Sequence, residues 1–124
     1  MVFPRVVTFM VEKAVLIKHD HQKSQIKKTG KLYRLIMKSQ KMEAIITELD
    51  PHTESRWFKH GGEEFHLVLE GEFEYTVDET TYQLSKGDVL WHPSNQKHRA
   101  RNTSDTKVKY ITIGTPPTFA LEML

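Results

Sequence analysis

The sequence contains no cysteine among its 124 residues, which excludes disulfide bonds and thiolate zinc sites and is compatible with a reducing cytoplasm. No apolar run approaches the roughly 20 residues that a membrane-spanning helix needs. The apolar N-terminal stretch is interrupted by Arg5, Glu12 and Lys13, so we expect no signal peptide. The formal net charge is only +2, too small to indicate nucleic-acid binding. These absences predict a cytoplasmic protein without a membrane or nucleic-acid partner.

The sequence does contain many short segments rich in β-branched and aromatic residues, separated by turn residues. No segment shows a sustained helical period with caps. Such spacing in a chain of 124 residues predicts one all-β domain over 1–124, an antiparallel sandwich or barrel, with a polar loop at 19–30. The predicted strands are 2–9, 11–17, 31–38, 41–49, 55–60, 64–70, 72–77, 80–84, 88–92, 97–102 and 107–113.

Alternation along the predicted strand 64–70 places a carboxylate and an imidazole on the same face. That face carries Glu64, His66 and Val68. The opposite face is wholly apolar, which predicts that it packs in a buried layer; it carries Phe65, Leu67 and Leu69. His60 precedes this strand, and Gly61-Gly62 allows a bend that brings His60 toward Glu64. A buried carboxylate needs a partner, but the spacing alone leaves a metal site and ordinary edge residues equally open.

A second stretch, GDVLWHPSNQKHRARN, combines a Gly-Asp turn, an apolar strand, a bend at Pro93 and the returning residue His98. Together the two stretches resemble the paired motifs of the cupin superfamily over about residues 45–115. The first motif is matched by His60, Glu64 and Gly71, and the second by Gly87, Pro93, His98 and Asn102. The resemblance implies an antiparallel double-stranded β-helix, or jelly-roll barrel, with its core at 45–115.

The resemblance also implies a metal site, with two departures from the family pattern. Phe58 occupies the position of the first motif's first histidine and cannot ligate, whereas Asn95 replaces a usual glycine and tolerates a left-handed turn. Carried over residue by residue, the remaining ligands are His60, Glu64 and His98. Three protein ligands with open positions suit iron(II), manganese, nickel or zinc, in a full, weak or empty site.

Other side chains are candidates for a ligand pocket or for the protein surface. We expect His66, Val68 and Trp91 to line the pocket, and His66 is the candidate for proton transfer if the protein is an enzyme. His19 and His21 are expected in a solvated loop, although their spacing also suits a metal-binding pair. The remaining two histidines lie beside a turn and a bend, where we expect surface or rim positions: His52 and His92.

Three functions remain open on these observations. They are a small-molecule-binding or sensor module, a metal-dependent dioxygenase or isomerase of a small polar substrate, and a metal-free structural barrel. The flanking runs HGGEEFHLVLEG, GDVLW and TPPTF are similar to the cupin sensor domains of helix-turn-helix transcription regulators, which favours binding over catalysis. No helix-turn-helix pattern is present, so DNA binding is not expected. The apolar segment 2–17 suits covering a sheet edge, and we expect a homodimer.

Overall fold

A computed structural model describes residues 13–22 and 24–117 of the chain. Apart from one 3-10 turn at His19–His21, the regular structure of these residues is entirely β. None of their helices is long and apolar enough to cross a membrane. The strands are β1 (Gln25–Lys28), β2 (Lys31–Lys38), β3 (Glu43–Leu49), β4 (Thr53–Glu54), β5 (Glu63–Glu70), β6 (Glu72–Val77), β7 (Thr80–Ser85), β8 (Val89–Pro93), β9 (His98–Asn102) and β10 (Val108–Thr115).

The strands form two antiparallel sheets. One sheet has six strands in the order β1-β2-β3-β10-β5-β8, and the other has four in the order β4-β9-β6-β7. After β3, successive strands alternate between the sheets except at the β6–β7 hairpin, which is the connection pattern of a jelly roll. The predicted all-β antiparallel jelly-roll barrel is confirmed.

The core lies between the two sheets and is built by alternation along each strand. On β6, Phe73, Tyr75 and Val77 point inward and are at most 7% exposed, as their spacing predicted. Phe73 stacks on Tyr110 of the opposite sheet at a ring-centroid distance of 4.8 Å. Burying each such aromatic side chain stabilises the fold by about 1.5–3 kcal/mol. The main cluster consists of Leu49, Val68, Phe73, Tyr75, Val77, Leu84, Ala100, Val108 and Tyr110.

Strand β5 has the predicted alternation, but its faces differ from the predicted environments. The interior face carries Glu64, His66 and Val68, all at most 3% exposed. The apolar set, which was expected in a buried layer, lies on the outer face and is only half-buried: Phe65, Leu67 and Leu69. The prediction for that set was wrong because the barrel interior at this level is filled by imidazoles and a carboxylate rather than by aliphatic side chains.

Three other predictions of local structure need correction. Residues 55–60 form no strand, although Phe58 makes an isolated β-bridge with His98. The expected loop 19–30 contains β1, a polar edge strand that pairs with β2. Within the predicted strand 11–17, residues 13–17 are not in a strand. The predicted strand 2–9 lies outside the described residues, as do residues 11 and 12 of the next.

Candidate metal centre

Four imidazoles surround the buried carboxylate of Glu64 inside the barrel. Glu64 and His66 come from β5, His92 from β8 and His98 from β9, while His60 lies in the segment before β5. The centre therefore joins both sheets, because β5 and β8 belong to the six-stranded sheet and β9 to the four-stranded sheet. The side chain of His60 is 8% exposed and those of the other four residues 2–3%, so the solvent side of the centre is at His60.

Strand register brings these side chains together. β5 lies between β10 and β8, so His66 is directly opposite Thr112 on one side, and Glu64 is directly opposite His92 on the other. Directly opposite residues in an antiparallel pair have Cβ atoms about 4.5–5.5 Å apart on the same face. Glu64 and His92 therefore meet in the interior although they are 28 positions apart in the sequence.

The bend before β5 positions His60. Gly62 has φ +95°, and a Cβ there would overlap the carbonyl oxygen of Thr115, so only glycine fits. The amide of Ser94 donates to the carbonyl of Gly62 at 2.8 Å, and the amide of His60 donates to the carbonyl of Ser94 at 3.0 Å. These bonds tie the two motif segments together. The predicted bend at Gly61-Gly62 is therefore present, and it brings His60 over Glu64.

His60, Glu64 and His98 form a set that we call the outer triad. Oε1 of Glu64 lies 3.1 Å from Nε2 of His60 and 3.0 Å from Nε2 of His98. Nδ1 of His98 donates to the carbonyl of Gln96 at 2.7 Å, and Nδ1 of His60 faces the carbonyl of Gly61 at 3.2 Å. A carbonyl oxygen can only accept, so Nδ1 of each ring carries a proton and Nε2 of each ring faces Glu64. In a neutral ring protonated at Nδ1, Nε2 is the atom that can ligate a metal.

This donor set fits a divalent transition metal. Two Nε2 atoms and a carboxylate oxygen about 3 Å apart need a proton or a cation among them, because three electron pairs would otherwise repel one another. No hydrogen bond of acceptable geometry reaches the buried Oε1 of Glu64 from the described part of the chain. The ligand atoms of the three residues lie within 4.8 Å of one another. Backbone carbonyls that hold Nδ1 are the outer partners that metal-binding histidines commonly have.

Burial and neighbouring imidazoles set the charges of the centre. Burial alone would raise the pKa of Glu64, but the imidazoles of His60 and His98 outweigh it and hold the pKa well below its usual range. Burial lowers the pKa of His66 to about 3, and it also lowers the pKa of His92. At neutral pH Glu64 is therefore a carboxylate and His66 and His92 are neutral, the protonation states that a metal requires.

His66 and His92 form a second set with Glu64. Nε2 of His66 lies 2.9 Å from Nε2 of His92 and 3.6 Å from Oε2 of Glu64. We call Glu64, His66 and His92 the inner triad, since its side chains are 2–3% exposed. Its ligand atoms, like those of the outer triad, lie within 4.8 Å of one another.

The expected surface or rim position of His92 was wrong, because its residue is only 3% exposed. The bend at Pro93 obscured the alternation of β8, in which Leu90 and His92 face the interior. One signal in the sequence points to an interior position for His92, its spacing of two from Leu90. The pairing of β8 with β5, which places His92 opposite Glu64, is seen only in the structure.

The structure separates the other predicted pocket residues. Val68 lies inside the barrel with His66, but it belongs to the apolar core cluster. Trp91 alternates with His92 and points outward; it is 56% exposed, and its indole donates to Glu63 at 3.0 Å. The structure therefore does not bring Trp91 to the centre. Phe58 is buried, with its ring 6.2 Å from that of His98, at the edge of the outer triad.

The remaining motif and histidine positions lie away from the ligands. Asn102 is a structural residue: its amide donates to the carbonyls of Leu49, Asp50 and Thr106 at 2.8–3.1 Å and joins β9 to two loops. His52 is exposed and bonds Asp105 at 2.8 Å, as its expected surface position implies. The exposed residues His19 and His21 lie in the 3-10 turn, outside both triads.

A two-sheet antiparallel barrel with a His/Glu centre on its inner face is the arrangement expected of a cupin. The family model described as a cupin domain matches residues 45–114. The chain therefore belongs to the cupin family, which the resemblance of its two motifs predicted.

Individual relatives agree with the fold. An uncharacterised protein of Methanocaldococcus jannaschii is 26% identical over 118 residues, which cover 85% of this chain and 89% of that protein. The structure of KdgF from Halomonas sp. superposes with a TM-score of 0.76 at 18% identity, covering 90% of this chain and 100% of that one. The cupin domain of an XRE family transcriptional regulator from Enterobacter cloacae superposes with a TM-score of 0.66 at 20% identity. The superposition covers 72% of this chain and 99% of that one.

Proposed function

We propose that this protein is a metal-binding cupin that uses its outer triad to hold one divalent transition metal and to bind a small polar molecule. The observation that carries this proposal is the convergence of two Nε2 atoms and a carboxylate oxygen at 3.0–3.1 Å in a buried site. Iron(II), manganese, nickel and zinc all accept such nitrogen and oxygen ligands.

Three protein ligands leave open coordination positions on the ion. Phe58, at the position where the family usually has a fourth ligand, presents an apolar ring beside His98. An ion that keeps open positions can bind water or a polar oxygen of a ligand. The ligand approaches from the His60 side, because His60 is the most exposed member of the centre. A small molecule fits best, since Phe73, Tyr75 and Tyr110 fill the adjoining core.

We favour a binding or sensor module over an enzyme. A general acid or base works best with a pKa near the operating pH. Burial lowers the pKa of His66, the candidate for proton transfer, to about 3 in the metal-free protein. The likeness to the cupin domain of a transcriptional regulator also supports a sensor role.

A metal-dependent enzyme, either a dioxygenase or an isomerase of a small polar substrate, is the second candidate. The hydrogen-bonded pair of His66 and His92 beside the outer triad favours it, because imidazoles near an ion are suited to moving protons. In a preparation that turns over a substrate, His66→Ala is expected to reduce kcat without loss of metal. Unchanged turnover would contradict this role of His66.

Metal content, measured by mass spectrometry on untagged protein purified without chelator, tests the outer triad. Near-stoichiometric metal is expected in the wild type and much less in His98→Ala. His52→Ala is the matched control, because it removes an exposed histidine that contacts Asp105 rather than Glu64. Equal metal in His98→Ala and His52→Ala, or none in the wild type after reconstitution with iron, manganese, nickel and zinc, would contradict the proposal.

The expected homodimer and cytoplasmic location remain predictions. The half-buried outer face of β5, with Phe65, Leu67 and Leu69, supports pairing, because apolar surface rimmed by polar residues commonly marks an interface. Light scattering at micromolar concentration is expected to give twice the chain mass. A monomer mass would contradict the homodimer.

A further inference from the structure

We propose that the inner triad is a second metal-binding site, which shares Glu64 with the outer triad and lies deeper in the barrel. The paired motifs do not contain its two histidines as ligands. His66 belongs to the interior face of β5, and His92 takes its place through the pairing of β8 with β5. The inference goes beyond the proposed function, which uses only the outer triad.

The distances within the inner triad are within about half an ångström of those in a coordination sphere. Bonds of roughly 2.0–2.1 Å place neighbouring ligand atoms about 3.0–3.4 Å apart in octahedral or tetrahedral geometry. The two Nε2 atoms of His66 and His92 are 2.9 Å apart. Nε2 of His66 is 3.6 Å from Oε2 of Glu64, and Nε2 of His92 is 3.9 Å from Oε1 of Glu64. Small side-chain shifts therefore suffice to close this set on an ion.

In each imidazole of the inner triad, Nδ1 makes a hydrogen bond, as the non-ligating nitrogen of a metal-binding histidine usually does. Nδ1 of His92 donates to the carbonyl of Pro93 at 2.8 Å, which leaves Nε2 of the neutral ring without a proton. Nδ1 of His66 lies 2.7 Å from Oγ1 of Thr112. Threonine can donate or accept, so Thr112 can support His66 both in the metal-free and in the metal-bound state.

The two states differ in the position of one proton. In the metal-free state Thr112 donates to Nδ1 of His66, and Nε2–H of His66 donates to Nε2 of His92. When an ion binds, the His66 proton moves to Nδ1, Thr112 accepts it, and both Nε2 atoms ligate. Oε2 of Glu64 lies near His66, and Oε1 lies near His60 and His98. One carboxylate therefore faces both triads.

Charge predicts how the two sites are filled. One divalent ion with Glu64 leaves a net charge of +1 among the five side chains, and two ions leave +3. Burying so much uncompensated charge is costly. We therefore expect one tightly held ion per chain, and a second only when an anion such as hydroxide or a carboxylate joins it.

The double variant His60→Ala/His98→Ala tests the inner triad, because it removes two of the three outer ligands. Titration of the chelator-treated protein with Co²⁺, followed by visible absorption and by calorimetry, is expected to show about one bound ion. Adding His92→Phe to that variant should lower the affinity at least about tenfold, the size of effect seen even for outer partners of ligands. Adding His52→Ala instead should leave it unchanged.

A double variant that folds, by circular dichroism, but binds no Co²⁺ while the wild type binds one would overturn the inner site and leave the proposed function intact. The opposite result concerns single variants of a protein that binds one ion. If His66→Ala loses this ion and His98→Ala keeps it, the inner site is supported and the proposed outer site is overturned. If the double variant does not fold, His60→Ala replaces it, since His60 is the least buried ligand. In His60→Ala the bound ion must then depend on His66; retention after His66→Ala overturns the inference.

Discussion

Gly62→Ala should be among the most destabilising single-methyl changes in this chain. Gly62 has φ +95°, in the left-handed region, where an L side chain costs about 1–2 kcal/mol. The added Cβ would also overlap the carbonyl oxygen of Thr115 and lie 2.6 Å from Cδ of Pro116. Displacing backbone to relieve such overpacking costs typically about 1–3 kcal/mol. We therefore expect a loss of about 2–5 kcal/mol in the free energy of unfolding.

Two other glycines separate these contributions. At Gly87 φ is +90° but nothing lies within 4 Å of the added Cβ, so Gly87→Ala should cost only the backbone term of about 1–2 kcal/mol. At Gly61 no atom lies within 4 Å and φ is outside the left-handed region, so Gly61→Ala should be neutral or slightly stabilising. The difference in the free energy of unfolding between Gly62→Ala and Gly87→Ala measures the cost of the overlap alone.

The assay is urea unfolding in the presence of chelator, followed by the fluorescence of Trp57 and Trp91. Metal affinity should fall together with stability in Gly62→Ala, because the Gly62 carbonyl and the His60 amide both bond Ser94. A Gly62→Ala protein as stable as Gly87→Ala would refute the reasoning about the close approach. If Gly62→Ala were as stable as the wild type but bound metal more weakly, only the predicted loss of stability would be refuted.

Two further predictions concern the centre itself. Phe58→His restores the ligand type usual at that position, so metal affinity measured by calorimetry should rise at least about tenfold, while the chelated protein loses about 1–3 kcal/mol of buried apolar packing. Phe58→Leu is the control and should not tighten binding; equal affinity of Phe58→His and Phe58→Leu would contradict the geometry. Stability of the chelated protein should fall as the pH drops below about 6.5, because the folded-state pKa of His66 (about 3) and that of His92 are below the unfolded value, so protonation favours unfolding. The expected loss from His66 is about 1 kcal/mol for each pH unit below 6.5, and His92 adds a loss of the same sign. It is measured as the urea midpoint at pH 7.5 and 5.5, and a midpoint that does not change would contradict it.

Local spacing was enough to predict most of the barrel. Strands 31–38 and 72–77 begin and end where predicted. The second alternates clearly between polar and apolar side chains, and the first follows the turn residue Gly30. The edge strand β1 was missed because its sequence, QIKK, is mostly polar and gains its pairing only from β2 across a turn. Segment 55–60 has strand-like residues, but only Phe58 finds a bridge partner.

The outer triad could be predicted because its three residues lie in two local motifs. His92 could not be placed that way, since its position depends on long-range pairing with β5 and on alternation interrupted by Pro93. Apolar character was also a poor guide to the interior of β5, where His66 is 1% exposed and Leu67 only half-buried. In this barrel the hydrogen bonds of Thr112 and Pro93 make buried imidazoles tolerable.

Anomalous diffraction from crystals of zinc-reconstituted protein, measured on both sides of the zinc absorption edge, tests the central claim most directly. We expect a peak about 2 Å from Nε2 of His60, Nε2 of His98 and a carboxylate oxygen of Glu64. Anomalous density confined to the exposed histidines, such as His52, or the absence of any peak at saturating zinc, would contradict the account.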